Sequence, residues 1–320
     1  MAKSKKLKLN KPNILKKRFD IVSIGRATED IILSGEIFRP VCISGICHEK
    51  ITVGMKHEVE AVDRFYAGNA FNASVTFSRQ NLKTAILIQA SRDLSSEELL
   101  DILDSEKISS KLVFQDSKYK SATSIILLPP SGDRTVLTYR GSKIDHQSLI
   151  NKFSKVSTEW VYISSTNSIE LLKGIFTLAA KKGVLIAFNP GGEELREIKQ
   201  VRKLLTQVEV LILNKEEAAL FFGDLDAPSL ARAGSEYSKI CVVTDGPHGS
   251  FACSAGKDYF QPISKDVKVI DRNGAGDAFS SGLVSVLAHG GSLKNALQFG
   301  SENSTSVVQQ VGSQIGILRA

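Results

Sequence analysis

The strongest constraint on the fold is a regular alternation of short apolar runs with segments of helical periodicity. Phe19–Ile24, Thr84–Ile88, Trp160–Ser164, Val184–Phe188, Val208–Leu213 and Ile240–Val243 are runs of four to six mostly apolar residues. Between and after them, Ala70–Arg79, Leu94–Leu103, Ile169–Lys181, Glu194–Leu204, Ala278–Ala288 and Leu293–Val308 space apolar residues three and four apart. Short unbroken apolar runs suit strands covered on both faces, and the intervening helices return the chain for parallel pairing. The pattern predicts an α/β fold with a mostly parallel central sheet flanked by helices. Ligands in such sheets lie beyond the carboxyl ends of the strands.

Two segments interrupt the alternation. Pro40–Val62 and Lys111–Tyr139 are rich in strand-type residues, with turn punctuation at Ser44-Gly45 and Ser131-Gly132-Asp133. They predict a small β-sheet lid inserted into the main domain, drawn from about residues 34–66 and 111–141. A lid suits transfer chemistry that water would otherwise intercept.

Asp271-Arg272-Asn273-Gly274-Ala275-Gly276-Asp277-Ala278-Phe279 is a glycine-rich turn opening directly into a helix. Small residues there let backbone N–H groups crowd an anion, and the helix dipole adds positive charge. It is not a dinucleotide fingerprint, because Phe279 stands where the third glycine belongs. It is not a Walker A loop either. The nearest approach, Gly256-Lys257, has Phe251 for the first glycine and Asp258 for the hydroxyl. Taken alone, G-A-G-D fits a plain helix start about as well as an anion cradle. An anion cradle with Asp277 as adjacent base is the minimum equipment for phosphoryl transfer to an alcohol.

Other pieces follow in fixed order. Ala67-Gly68-Asn69-Ala70-Phe71-Asn72-Ala73 opens a helix, Asn214-Lys215-Glu216-Glu217 follows one strand, and Thr244-Asp245-Gly246-Pro247-His248-Gly249 follows the next. With the Asp271–Phe279 turn, these resemble the motifs of the ribokinase (PfkB) family of carbohydrate and nucleoside kinases, over roughly residues 20–320. The resemblance implies ATP and Mg²⁺ as cofactors. It implies an anion hole from Gly274, Ala275 and Gly276, and Asp277 as the general base toward a primary hydroxyl. Asn214 and Glu217 would organise Mg²⁺, Glu217 through water. Thr244, Gly246 and Gly249 would meet ATP phosphates, with Asn303 near the adenine. Asp30, Thr28, Gly68, Asn72 and Arg140 would face the acceptor. Asp271 would centre a monovalent-cation site, for K⁺, of the kind some relatives carry. Each residue also has a plainer reading: Asn214 as an N-cap, Glu217 as a solvated acid, Asp30 as a turn acid and Arg140 as a surface arginine. Arg272 departs from the usual threonine, Ala67 from glycine and Asn69 from lysine.

The expected activity is phosphorylation of a small sugar, with a nucleoside as the alternative. A non-catalytic sugar- or nucleotide-binding regulator is a third reading, opposed by the presence of Asp277, Asn214 and Glu217 together. A homodimer paired through the lid is also within what the resemblance implies.

Charge is unevenly placed. Residues 1–19 hold eight of the 41 basic residues and no acid, leaving 33 basic against 34 acidic and a formal −1. The net +7 therefore belongs to a tail expected to be disordered and solvated, and no specific nucleic-acid partner is expected. No apolar run reaches membrane-span length and no apolar segment follows the basic start, so a cytoplasmic location is expected. Cys42, Cys47, Cys241 and Cys253 form no C-x-x-C pair. They read as buried or half-buried thiols rather than a zinc site.

Overall fold

The computed structural model describes residues 19–44, 46–131, 134–264 and 267–320. The expected basic tail, residues 1–19, lies outside them except for Phe19. Strands β1 (Phe19–Ile24) and β2 (Thr28–Ser34) are followed by a short hairpin, β3 (Val41–Ile43) and β4 (Ile46–His48), and by β5 (Ala61–Ala67). Then come α1 (Asn69–Arg79), β6 (Thr84–Leu87), β7 (Gln89–Ala90), α2 (Leu94–Ser105) and β8 (Phe114–Gln115). β9 (Ala122–Leu128) and β10 (Thr135–Tyr139) precede α3 (His146–Ser154), β11 (Thr158–Ser164), α4 (Ile169–Lys182) and β12 (Leu185–Asn189). Short α5 (Gly192–Arg196) and α6 (Ile198–Arg202) lead to β13 (Val210–Asn214), α7 (Lys215–Phe222), α8 (Ala227–Ser235) and β14 (Ile240–Thr244). The hairpin β15 (Ser250–Ser254) and β16 (Lys257–Gln261), then α9 (Ala275–Ala288) and α10 (Leu293–Val308), complete the chain.

The main sheet has eight strands in the order β16-β15-β14-β13-β12-β11-β1-β6. Pairing is parallel from β6 through β14 and turns antiparallel only at β15 and β16. Alternation along each strand sorts side chains between two helical layers. Val22, Ile24, Val161, Ile163, Ile186, Phe188, Leu211 and Leu213 pack with α3, α4, α7 and α8, while Ile21, Trp160, Tyr162, Val210 and Ile212 pack under α1, α9 and α10. Both faces are dry, which is why these strands carry unbroken apolar runs.

Four further strands form a separate sheet, β10-β9-β2-β5. It begins at Thr28, immediately after β1, rather than near residue 34. Residues 110–115 stay with the main body, where β8 pairs with β7. The helix expected over 194–204 is broken in two. The Glu194 carboxylate is wholly buried and accepts from the Thr166 and Asn167 N–H groups and the Thr166 hydroxyl, which fixes the first turn apart from the rest.

The cysteines divide into two pairs. Cys42 and Cys47 face each other across the exposed β3–β4 hairpin and are disulfide-bonded, so for them the expectation of buried thiols is corrected. Cys241 and Cys253 also stand opposite each other, on β14 and β15, and are buried free thiols. Burial and the neighbouring Cys253 push the Cys241 thiol up to about 12. No helix among the described residues is long and apolar enough to cross a membrane.

Candidate active site

The glycine-rich turn folds as a left-handed entry into α9. Gly274 is the N-cap with φ 76° and ψ 0°, a conformation costly for any residue with a Cβ. A Cβ there would also meet the Ser313 Cβ at 2.5 Å and its Cα at 3.0 Å. Four N–H groups are left over at the start of any helix. Here the Ala278 N–H closes onto the Gly274 carbonyl at 2.8 Å and the Ala275 N–H reaches back only weakly, to the Arg272 carbonyl at 3.4 Å. The N–H groups ahead of that first closed bond lie at the positive end of a 14-residue helix.

A cavity lies on each side of this turn. The first, about 360 Å³, is bounded by Asn214, Thr244, Gly246 and Gly249 at the carboxyl ends of β13 and β14, and by Ala275 and Gly276. The second, about 430 Å³, lies under the smaller sheet, with Asp30, Arg134, Asp271, Asn273 and Ser313 on its walls. Asp277 lines neither cavity. Gly276 beside it belongs to the first, and through Asn72 it is linked to Ser313 of the second.

Asp277 is half-buried on the first turn of α9. Asn72, buried on α1, donates from Nδ2 to Asp277 Oδ2 at 2.8 Å. The Asn72 carbonyl oxygen accepts in turn from the Ser313 hydroxyl at 3.0 Å and from Gln314 Nε2 at 2.9 Å. Burial pushes the Asp277 carboxyl above the usual carboxylate range, and the Asn72 amide opposes that only in part. Asn72, expected at the acceptor, therefore stands behind Asp277 and orients it.

Asp30 points from β2 into the second cavity and is 8% exposed. Burial raises its carboxyl, against the Ser124 hydroxyl, the Arg134 charge and the Asn273 side chain. Asp271, equally buried, accepts at Oδ1 from Arg134 Nη1 and from the Asn273 N–H at 2.8 Å, and at Oδ2 from the Gly312 N–H at 3.1 Å. Burial would raise this carboxyl, but these donors together hold it below its ordinary value.

Asn214 and Glu217 form a reciprocal capping box at the start of α7. Asn214 Oδ1 accepts from the Glu217 N–H at 2.7 Å, and Glu217 Oε2 accepts from the Asn214 N–H at 3.0 Å. Burial raises the Glu217 carboxyl in spite of that bond. Glu217 does not line the first cavity; its neighbour Glu216 does.

Four expected site residues fall elsewhere. Asn303 is fully buried and both ends of its amide are taken: Nδ2 donates to the Ala278 carbonyl at 2.8 Å, and Oδ1 accepts from the Leu318 N–H at 2.9 Å. It pins α10 to α9 and to the C-terminal segment. Ser301, Ser304 and Thr305 of the same helix face the first cavity instead. Arg140 is exposed and lines neither cavity; among the described residues its backbone carbonyl accepts from Arg26 Nη1. Thr28 opens onto a separate small cavity near Tyr66. Gly68, at φ 100°, is a packing glycine, since a Cβ would meet the Arg26 carbonyl oxygen at 2.7 Å.

Sequence reading missed Arg134, Ser313 and Gln314. Ser313 and Gln314 carry no motif, and Arg134 sits next to a turn where a surface arginine is the ordinary expectation.

The model of the pfkB family carbohydrate kinase matches residues 29–319. The ribokinase of Staphylococcus aureus (strain COL) is 22% identical over 271 residues, 82% of this chain and 88% of that protein. The ribokinase of Arabidopsis thaliana, solved with ribose and ATP, superposes with a TM-score of 0.78 at 17% identity, covering 94% of this chain and 96% of that one. The nucleoside kinase of Burkholderia thailandensis, solved with inosine, gives 0.74 at 18% identity over 93% and 94%. With the family model spanning nine-tenths of the sequence, on a parallel sheet with its glycine-rich turn between two cavities, this chain belongs to the pfkB family of carbohydrate kinases, phosphotransferases with an alcohol group as acceptor.

Proposed function

We propose that the chain transfers the γ-phosphoryl group of ATP to a primary hydroxyl of a small sugar bound beneath the smaller sheet, which acts as a lid. One observation carries this reading: a helix N-terminus, with the Asn72-held carboxylate of Asp277 on its first turn, lies between two cavities of ligand size. ATP would lie in the cavity of Thr244, Gly246 and Gly249, with its γ-phosphoryl at the turn. The acceptor would lie beside Asp30, whose carboxylate suits a pair of sugar hydroxyls. Asp277 takes the proton from the attacking hydroxyl as its oxygen bonds to the γ-phosphorus and the bond to the ADP oxygen breaks. The Gly274–Gly276 N–H groups meet the charge on the equatorial oxygens, a preorganised term of the kind that dominates such catalysis.

The oxygen donors near the first cavity fit Mg²⁺ held mainly through water and phosphate. Glu217 gives only one carboxylate oxygen to the capping box, and Asn214 and Glu216 border the cavity. Bound there, the ion would neutralise phosphate charge.

A nucleoside acceptor is the second reading, and the second cavity favours it. Ile32, Phe65, Ile126, Leu128, Ile270 and Val311 give it apolar walls, and Ile270 and Val311 remain 52% and 47% exposed. A free pentose covers little apolar surface, whereas a nucleobase would cover these walls. Either acceptor should be uncharged. Asp30, Glu60 and Asp271 line the cavity, and Arg134, the one cation on its walls among the described residues, is committed to Asp271. Sugar phosphates and sugar acids would meet uncompensated carboxylates. Pairing of two copies would be sought on the smaller sheet, where Ile125, Val136, Leu137 and Tyr139 are exposed.

The deciding experiment is ADP formation with Mg²⁺ and ATP against ribose, fructose, 2-keto-3-deoxygluconate, adenosine, inosine and cytidine. Selective turnover of one neutral acceptor is expected. ATP binding without transfer to any acceptor would favour the regulator reading.

A further inference from the structure

The resemblance places a monovalent cation at Asp271, but the groups around this carboxylate do not fit one. A K⁺ site needs oxygen atoms turned toward a common centre. At Asp271, both carboxylate oxygens are approached by N–H donors: Arg134 and the Asn273 N–H at Oδ1, the Gly312 N–H at Oδ2. Their hydrogens carry positive charge, and one comes from a full guanidinium. The carboxylate is 8% exposed, so little of it remains for a further cation.

Arg134 reaches Asp271 from another part of the molecule. It immediately precedes β10 of the smaller sheet, 137 residues away in sequence, while Asp271 opens the turn that leads through Asn273 to Gly274. The bridge therefore joins the lid to the turn that would hold the transferring phosphoryl group. The guanidinium also lines the acceptor cavity with Asp30 and remains 33% exposed.

We propose that Arg134 is a positioning residue that replaces a monovalent cation at Asp271, bracing the Asp271–Asn273 turn and the anion hole from the lid. This rests on the reading of Gly274–Gly276 as that anion hole. A guanidinium suits the task because it is always charged and weakly hydrated, so its Nη1 can hold Asp271 Oδ1 by a charge-assisted bond while the Gly312 N–H holds Oδ2. Lid closure and bracing of the transfer site then become one event, because the brace arrives with the lid. An enzyme dependent on a dissolved cation would separate the two.

The test compares KCl with choline chloride at equal ionic strength, for the wild type, Arg134→Ala and Arg134→Lys. Melting temperature needs no acceptor and reads cation binding directly, since a ligand of the folded state raises it. The wild type should melt at the same temperature in both salts, with turnover within about twofold, too small a change for a cation holding a catalytic turn. Arg134→Ala should lose at least ~10-fold in turnover, the scale of a charge-assisted bond, with KM for ATP nearly unchanged. It should also be stabilised and partly reactivated by KCl over choline chloride. Arg134→Lys should keep most of the activity and stay indifferent to K⁺.

A wild type that is stabilised by K⁺ or that needs it for turnover overturns the proposal. So does an Arg134→Ala protein with wild-type turnover and no response to K⁺. If Arg134→Ala does not fold, the wild-type salt comparison and Arg134→Lys still decide. ATP binding without transfer to any acceptor fails the kinase reading alone, because the melting comparison stands without it.

Discussion

Asn72 on α1 and Asp277 on α9 are joined by a 2.8 Å hydrogen bond that spans 205 residues of sequence. The bond occupies Oδ2, and no hydrogen bond among the described residues takes the other oxygen. Ser313 and Gln314 hold the far side of the Asn72 amide, so the carboxylate is set by two other segments, α1 and residues 313–314. In the proposed mechanism this positioning would let Asp277 accept a proton without first being reorganised.

Asp277→Asn should lower turnover by at least ~100-fold while ATP binding changes little, the signature of a lost general base. The measurement is kcat against the Kd for ATP. Near-normal turnover would remove Asp277 from proton transfer.

The acid limb of kcat should lie above the usual carboxylate range of about 4, because the base must be ionised and burial raises its pKa. Asn72 stabilises the charged form, so Asn72→Ala should move that limb to still higher pH. It should also cut turnover at neutral pH by roughly 10-fold, the scale of a bond to a charged group. A limb that stays in place or moves down would show that Asn72 does not support the ionised base.

Asp30→Ala should raise KM for the acceptor by at least ~10-fold and leave KM for ATP within about twofold, since bonds to a charged group are lost on one side only. Initial rates with each substrate varied in turn check this. The opposite pattern would take Asp30 out of the acceptor site.

Gly274→Ala should damage stability and catalysis together. The residue sits at φ 76°, and the added methyl meets Ser313 side-chain and backbone atoms. The conformational cost alone is about 1–2 kcal/mol, enough to lower Tm by several degrees. Turnover measured well below the new Tm should still be low, because the N–H groups would no longer converge. Normal turnover there would argue against an anion hole at this turn.

Asn303→Ala separates a core role from a nucleotide role. It leaves the part-buried Leu318 N–H without its partner, at about 1–3 kcal/mol, and removes the second bond of the Ala278 carbonyl, which keeps its partner within α9. Tm should fall while KM for ATP stays near the wild-type value at a permissive temperature. A raised KM with unchanged Tm would restore the adenine assignment.

What the sequence determined is local. Apolar run length separated strand from helix, so Phe19–Ile24 and Leu293–Val308 were readable to the residue. Glycines at a left-handed turn and a carboxylate on the following turn marked Gly274–Asp277, because backbone conformation and helix-end charge depend on a few adjacent residues. The order of the motifs identified the family. Tertiary structure decided which polar groups meet across the chain. Only packing shows that Asn72 donates to Asp277, or that both ends of the Asn303 amide are taken by backbone groups. Which lid arginine turns inward depends on strand register and loop path, and the structure brings Arg134 to Asp271 while Arg140 stays exposed. Such pairings have no short-range signature. They arise when a long-range contact satisfies a buried polar group that its neighbours in sequence leave open.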